Sequence, residues 1–423
     1  MNPFKPISIS LSPNTERDDV LLALKMVFQP NKWKKGKAIK ELENKFEEYL
    51  NRKYVFSFNS GRSSLIAILE ALEIKENDVV FVQAFTCNVA INPILSKKAK
   101  PIFIDIDKTL NLDPNDLEQK IISAKNKGKI LKAVMIQHTF GYPAQVDKII
   151  DIAQRNNLIL IEDCAHSLGA RYKGKLCGTV GDISFFSFGR DKIISSVFGG
   201  IATTDNSIFA KKLAEFQQKT KHPSKHWILQ QLMHPILMNC FILPCYSILG
   251  KYFLFLFQKI RILSKAVYRE EKRGIIPKYF PKQMSNALAI LALNQFRKLE
   301  KFNEHRKIIS NFYEKNLKEL NQFNLIFETR GKEREVVFMK YPILTKNSDY
   351  IVKEARNKNI MLNDGWRKSP IVPSDTKKEK MGYVEMSCPE AEKIAENILN
   401  LPTHIHISIQ NAQKIVNFLK NLK

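Results

Sequence analysis

The residues that offer chemistry are an aspartate and a lysine placed at the ends of two apolar runs. LILIED (158–163) closes on Asp163, and ISFFSF (183–188) runs into GRDK, which closes on Lys192. A lysine amine attacks a carbonyl once burial or a nearby cation lowers its pKa from the ordinary value of about 10.4. A carboxylate set against a heterocyclic nitrogen keeps that nitrogen protonated, so the ring accepts electrons. Strand-terminal Asp and Lys residues are common in α/β proteins, and the pair alone carries little. The segment NSGRSS (59–64) adds to it, because it follows the apolar run YVFSF and opens a helical pattern. Gly61 in such a turn lets the backbone approach a phosphate, whose charge is favoured by free N–H groups at a helix start. The plainer reading of the hexapeptide is a helix capped by Ser60. Ser187, in FFSF, would offer a hydroxyl to the same anion.

For these groups to meet, the intervening chain must form a sheet. YVFSF (54–58), DVVFVQAF (78–85), PIFIDI (101–106), AVMIQHTF (133–140), LILIED, ISFFSF and GGIATT (199–204) are dense in β-branched and aromatic residues and read as strands. Helical patterns at 63–72, 89–96, 114–125 and 146–156 separate them. This alternation predicts an α/β fold: a large, mostly parallel sheet covered on both faces, with functional groups at the carboxyl ends of its strands. A helical lead-in over 14–50 precedes it, and a helix over 206–221 follows. A long helical pattern over 285–320 and the segments 336–344, 349–359 and 409–422 suit a smaller C-terminal α/β domain. The expected division is 1–225 for the lead-in and large domain, 226–265 for an apolar helical insertion, and 266–423 for the connection and small domain.

The whole chain narrows the choice of function. At 423 residues and 44% hydrophobic it is long and apolar enough for two or three packed domains. Its 6 cysteines lack metal-ligand spacing and read as free thiols in a reducing compartment. The first residues show no basic segment followed by an apolar run, so a cytoplasmic location is expected. The formal net charge of +25 raises the question of nucleic acid, but the lysines are spread out and no nucleic-acid motif accompanies them. Binding to nucleic acid is not expected. His404 and His406 stand two apart without a third ligand, so no metal site is expected; His138 reads as core packing.

At this point the residues meet a known pattern. NSGRSSL, VQAFTCNVAINPI, KPIFIDID, QHTFGYPAQVDKI and LIEDCAHSLGARYKGKLCGTVGDISFFSFGRDK occur in order and at the right spacing to resemble the DegT/DnrJ/StrS group of nucleotide-sugar aminotransferases. That group consists of fold-type I enzymes dependent on pyridoxal phosphate (PLP). The resemblance implies that Lys192 holds the PLP as a Schiff base and shuttles the proton of the reaction. It implies that Asp163 pairs with the pyridine nitrogen, that His166 stands near the phenolic oxygen, and that Gly61, Arg62, Ser63 and Ser187 surround the phosphate. Cys87 occupies a position where relatives often stack an aromatic ring on the cofactor. Arg62 stands where Thr is commoner, and either adds charge to the phosphate site or points to solvent. Pro281 lies near the position of a phosphate-contacting Asn that relatives supply from a neighbouring subunit, and Lys282 is a possible substitute.

The implied activity is transfer of an amino group from an amino acid, glutamate in the first instance, to a keto sugar nucleotide destined for cell-surface polysaccharide, by a homodimer. Two rivals stand beside it. A PLP-dependent sugar dehydratase characteristically has histidine in place of the lysine, which Lys192 argues against. A non-catalytic sensor or scaffold at the membrane would bind PLP or a sugar nucleotide without turnover.

The segment 227–257 (WILQQLMHPILMNCFILPCYSILGKYFLFLF) has no counterpart in the common form of that group, and Lys251 is its one Lys, Arg, Asp or Glu. Residues 227–250 are long enough as a helix to cross a bilayer core of about 30 Å. A single crossing would put the two domains on opposite sides. Basic flanks at both ends place both on one side, and Pro235, Pro244 and Gly250 interrupt a continuous helix. The expectation is a hairpin or an interfacial pair of helices dipping into the inner leaflet as a peripheral membrane contact. A hydrophobic dimer interface and an active-site lid are the alternatives.

Overall fold

A computed structural model describes residues 4–318, 320, 322–325 and 333–422. Seven strands form the main sheet: β1 (Tyr54–Phe58), β2 (Val79–Gln83), β3 (Lys100–Ile104), β4 (Leu131–Gln137), β5 (Ile159–Asp163), β6 (Ile183–Ser187) and β7 (Gly200–Thr204). Their spatial order is β1-β7-β6-β5-β4-β2-β3. All neighbours run parallel except β7, which is antiparallel to both β6 and β1. Every residue of β2 and of β7 is buried, as a sheet covered on both faces requires. The covering helices are α1 (Arg17–Val27), α2 (Ala38–Leu50), α3 (Gly61–Ala71), α4 (Asn88–Ser96), α5 (Pro114–Asn126), α6 (Val146–Arg155) and α7 (Ser207–Lys219).

Register brings the chemistry to one edge. Asp163 lies opposite Gln137 on β4 and Phe185 on β6, while Ser187 faces Gly200, which faces Phe58 on its other side. The strand ends fall short of the apolar runs for a local reason. Phe85 and Phe140 adopt left-handed backbone angles (φ 54° and 53°), so the chain turns out of the sheet after Gln83 and Gln137. A non-glycine residue takes that conformation at a cost, and here the turns fold both rings into the core.

The insertion is a hairpin of α8 (Lys225–Leu237) and α9 (Lys251–Lys259), joined by irregular helical turns. Both ends return together: the Gln230 amide donates to the Arg261 carbonyl, and the Ser264 hydroxyl donates to Gln231 Oε1 at 2.7 Å. Of the expected breakers, Pro235 lies in the last turn of α8 without ending the helix there, although it cannot donate to the Gln231 carbonyl. The backbone departs from helical angles at Cys245 (φ −123°, ψ 26°), next to Pro244. Gly250 is needed for the return, since a Cβ there would sit 2.1 Å from the Ile242 carbonyl oxygen.

The expected 285–320 helix divides into α10 (Asn286–Phe296) and α11 (Leu299–Leu317). The break at Lys298 lets its ammonium reach Asp18 and Asp19 at 2.8 Å each. Residue 319 of that expected helix lies outside the described residues. A small antiparallel sheet follows, β8 (Asn324–Leu325), β9 (Lys340–Leu344) and β10 (Ile398–Pro402), in the order β8-β9-β10. It is accompanied by α12 (Ser348–Asn357), α13 (Pro389–Asn397) and α14 (Ile409–Lys420).

The lead-in is fastened to both domains. His404 and His406 donate from Nε2 to the carbonyls of Ser8 (2.7 Å) and Thr15 (2.8 Å). Between them Asn14, fully buried, donates to the Lys192 carbonyl and accepts from Arg306 at 2.8 Å, while its own carbonyl accepts from Gln295 at 3.0 Å. Burial pushes the Arg306 guanidinium down to about 9, so its acceptor matters. Asn14→Ala is expected to lower unfolding free energy by about 1–3 kcal/mol, the cost of leaving one buried donor and one acceptor unpaired. The measurement is a urea transition with a lower midpoint and unchanged slope; an unaltered midpoint would mean that the contacts hold nothing.

Candidate active site

A cavity of about 210 Å³ opens at the carboxyl edge of the main sheet, and Gly61, Arg62, Cys87, Asp163, His166, Ser187 and Lys192 all reach its wall. Each arrives by a different element. Asp163 and Ser187 are the last residues of β5 and β6, Gly61 and Arg62 open α3, and Lys192 follows β6 in a turn closed by its N–H on the Gly189 carbonyl (3.2 Å). Ser63 is not among them. Its hydroxyl is fully buried, donates to Asn59 Oδ1 at 2.7 Å, and lies off the wall; Ser60 takes its place there.

Burial sets the protonation states. Asp163 is 5% exposed, and loss of water pushes its carboxyl up to about 6, against the pull of the Ala165 N–H and of the Lys192 ammonium. Its one donor among the described residues is that N–H, at 2.9 Å on Oδ1. Burial holds His166 far below the usual imidazole range, with the charges of Lys192 and Lys340 adding to the effect. Its Nδ1 accepts the Phe140 N–H at 3.3 Å, which leaves the proton on Nε2. The ring lies parallel to Phe140 (5.8 Å, 10°) and meets the edge of Trp366 at 4.9 Å. Burial also raises the Cys87 thiol, which is therefore a neutral side chain and not a nucleophile. Thr86–Cys87 pairs in parallel with Ile371–Val372, so that Val372 and Pro373 share the wall with the thiol.

At the other end two glycines make an anion cradle. A Cβ on Gly61 would come within 2.8 Å of Ser187 Cβ, and one on Gly200 within 2.5 Å of the Gly61 nitrogen. This close packing needs glycine at both positions. The Ser60 hydroxyl caps the Ser63 N–H at 3.1 Å. The N–H groups of Gly61 and Arg62 have no acceptor among the described residues. The Arg62 guanidinium neither points to solvent nor stands free: it pairs with Glu271, donates to the Ala266 carbonyl at 3.0 Å and lies 4.5 Å over the Phe280 ring. The 281–282 segment runs beside the same turn of its own chain, with the Lys282 N–H donating to Asn59 Oδ1 at 3.2 Å.

Among the wall residues that escape a reading of the sequence are the polar or aromatic Gln137, Arg190, Asp191, Asp364 and Trp366. Arg190 and Asp191 sit beside Lys192 in GRDK, a signal that was there to use. The Arg190 cation is pushed down to about 10 by burial and donates to the Ser264 hydroxyl at 2.5 Å. Asp364 and Trp366 come from a distant loop, and only one weak mark set them apart, Trp366 being one of 3 tryptophans. Asp364 holds the buried Lys340 at 3.1 Å, and Asp191 lies 3.7 Å from the same ammonium. Behind the sheet edge His138 donates from Nε2 to Glu162 (3.0 Å) and accepts the Ala144 N–H on Nδ1. With Cys164 these form a group of metal-ligand types. Glu162 is already committed to three backbone N–H groups, of Gly178, Val180 and Gly181, so the cluster is a hydrogen-bonded support for β5.

PLP fits this set. Asp163 needs a donor on its cavity side and a pyridinium N–H supplies one; His166 offers a neutral donor for a phenolic oxygen; Lys192 offers the amine; and the N–H groups of Gly61 and Arg62 with Ser187 offer donors for a phosphate.

The Asp163 shift carries a prediction. Its folded value of about 6 exceeds the ordinary 3.8, so the cofactor-free fold keeps a proton that the unfolded chain releases. Stability of that form therefore falls as pH rises between the two values, by about 3 kcal/mol in all. Asp163→Asn removes the fall. In urea unfolding of cofactor-free protein the variant should be more stable than wild type at about pH 7.5, with the advantage vanishing near pH 4, while its transaminase activity drops by about a hundredfold or more. Equal pH dependence of the two proteins would contradict the burial argument.

The comparisons with known proteins agree with this geometry. The model of the DegT/DnrJ/EryC1/StrS aminotransferase family matches residues 14–235 and 256–420, leaving out the far part of the hairpin. The chain is 29% identical over 319 residues to GDP-perosamine synthase of Escherichia coli O157:H7, covering 74% of this chain and 71% of that one. It is 25% identical over 383 residues to UDP-4-amino-4,6-dideoxy-N-acetyl-beta-L-altrosamine transaminase of Campylobacter jejuni, covering 89% and 88%. Among solved structures, a DegT DnrJ EryC1 StrS aminotransferase from Brucella abortus superposes with a TM-score of 0.74 at 20% identity, over 95% of both chains. Spr1654 from Streptococcus pneumoniae, in its PLP form, gives 0.75 at 20% identity over 99% of this chain and 100% of that one. With the sequence match spanning both domains and the fold shared from end to end, the chain belongs to the DegT/DnrJ/EryC1/StrS aminotransferase family.

Proposed function

We propose that the chain moves an amino group from an amino acid, glutamate, to the keto carbon of a sugar carried on a nucleotide, for cell-surface polysaccharide. The observation that carries this reading is the meeting of Lys192, Asp163 and His166 in one cavity with the glycine-lined cradle of Gly61 and Gly200. Relatives named for this chemistry use GDP and UDP sugars, so a nucleotide-linked sugar is the common ground and the particular base is left open.

PLP, when bound, supplies an aldehyde and an electron-accepting ring. The residues of the chain do the rest. Lys192 is the amine that would hold the aldehyde and, when free, would serve as the acid and base of the reaction. Asp163 would accept the hydrogen bond of the ring nitrogen and, as a charged acceptor there, would keep it protonated. His166, with its proton on Nε2, would offer a donor to the phenolic oxygen. The free N–H groups of Gly61 and Arg62 and the Ser187 hydroxyl hold the phosphate, a site that favours anions because of the helix start. Lysine at 192 weighs against the dehydratase reading, in which that residue is replaced. The enzyme acts in the cytoplasm as a homodimer.

An absorption spectrum is the test. Purified protein supplied with PLP should absorb in the visible, lose that band on addition of glutamate, and regain it with one member of a panel of keto sugar nucleotides. Lys192→Ala should abolish the band and lower turnover by about 10³-fold or more. Protein that stays colourless with added PLP, or a band indifferent to glutamate, would refute transamination; a mass of one chain by light scattering would refute the dimer.

A further inference from the structure

The hairpin between 225 and 264 is apolar on two faces and has cover for only one. On α9 the inward side chains Phe253, Leu254 and Phe257 pack on Leu237, Met238, Ile242, Leu243 and Leu263. The outward side of the same helix carries Tyr252, Phe255 and Leu256, with exposures of 61%, 68% and 46%. Phe241, Ile248 and Leu249 in the turns and Ile260 beyond α9 are exposed as well. Surface helices normally turn polar residues outward, and contiguous exposed apolar surface marks a contact.

The charges around this face identify what covers it. Between Glu215 and Glu270 the chain has no Asp or Glu, yet besides Lys265 and Arg269 it has Lys219, Lys221, Lys225, Lys251, Lys259 and Arg261, these six all exposed. Among the described residues none of these six pairs with a carboxylate. A second copy brought against this face would add the same uncompensated positive charge to its rim. An anionic surface would neutralise it. The hairpin also does not cross a bilayer: Gln230 meets Arg261 and Gln231 meets Ser264, so the chain leaves on the side it entered, and α8 alone rises only about 20 Å of the 30 Å needed. Residues 236–255 are the ones outside the family match, so the common catalytic fold does without them.

We propose that the outward face of this hairpin is a docking surface for the anionic headgroup layer of a phospholipid membrane, with Phe255, Leu256, Ile248 and Leu249 entering the acyl boundary and the flanking lysines at the phosphates. The apolar side chains supply insertion and the cations supply attraction, the pairing expected of an interfacial helix. Its base stands at the active site, because Ser264 bridges Gln231 and Arg190 and the latter lines the cofactor cavity. Docking therefore holds the cavity near the lipid surface. The proposal stands apart from the transamination reading.

Flotation of the full chain with vesicles tests it. The protein should float with phosphatidylcholine vesicles containing about 30% phosphatidylglycerol and stay behind with pure phosphatidylcholine at about 0.15 M salt. Phe255→Glu with Leu256→Glu should reduce the bound fraction at least about tenfold without altering circular dichroism or the visible band of PLP-loaded protein. Glutamine at Lys251, Lys259 and Arg261 should weaken binding about fivefold for each charge removed. Absence of flotation with either vesicle would overturn the proposal, as would binding unchanged by the two glutamates. A halved particle mass in the glutamate variant, with no vesicle binding by wild type, would assign the face to a second copy.

Discussion

Removing a carboxylate from water costs several kcal/mol unless something returns the lost hydrogen bonds, and the arrangement around Asp163 follows from that constraint. The residue ends a strand that lies between two parallel neighbours, so its backbone is fixed and its side chain can only face the cavity. One N–H reaches it. The rest of its demand is left for whatever fills the cavity, and a protonated ring nitrogen meets that demand with charge as well as a donor. The same burial favours a cationic heterocycle over a neutral one at this acceptor.

One desolvated pocket also assigns different roles to its titratable groups. Loss of water disfavours every charge, so it raises the carboxyl of Asp163, lowers the imidazole of His166 and raises the thiol of Cys87. The consequence is a neutral histidine donor and an inert sulfur beside an acid whose ionisation is left to its partner. The supports are of the same kind. Glu162, next to Asp163 but pointing to the far side of the sheet, is bound by three N–H groups and His138, which locks β5 from behind. Asn14 grips the carbonyl of Lys192 from the lead-in, so a residue near the start of the chain steadies the turn that carries this amine to the cavity wall.

What could be read in the sequence was whatever local pattern controls. The seven strands and the order of helices followed from alternating apolar runs, and Lys192, Asp163 and Ser187 were found because strand ends in such sheets face the site. Their spacing agreed with a known family besides. Less visible were effects that depend on distant packing. Ser63 looks equivalent to Ser60 in NSGRSS, but the helix start turns one hydroxyl to the wall and the other to Asn59. Arg62 reads as a phosphate ligand or a solvent cation until Glu271 takes it. Trp366 and Asp364 lie in a loop far along the chain, and nothing nearby signals that it folds over His166. Proline marks were similarly equivocal: Pro235 continues α8, whereas the chain bends beside Pro244.

The departure at Arg62 gains its sense from the insertion. An arginine at a helix start beside an anion site would by itself add a full charge to the cradle and hold the phosphate more tightly than its neighbours do. Here the residues just after the hairpin answer it: the Ala266 carbonyl and the Glu271 carboxylate accept from its guanidinium, and Phe280 lies under it. Glu271 in turn is 1% exposed and accepts the Tyr268 N–H at 2.8 Å, so the segment leaving the hairpin is itself closed around the ion pair. With Arg190 held by Ser264, both arginines of the cavity are tied to the chain that returns from the hairpin. An added element that only decorated the surface would not need such ties. Two part-buried arginines are held by the segment that returns from the hairpin, and that segment itself reaches the cavity through Ala266 and Val267, so its position shapes the cavity wall.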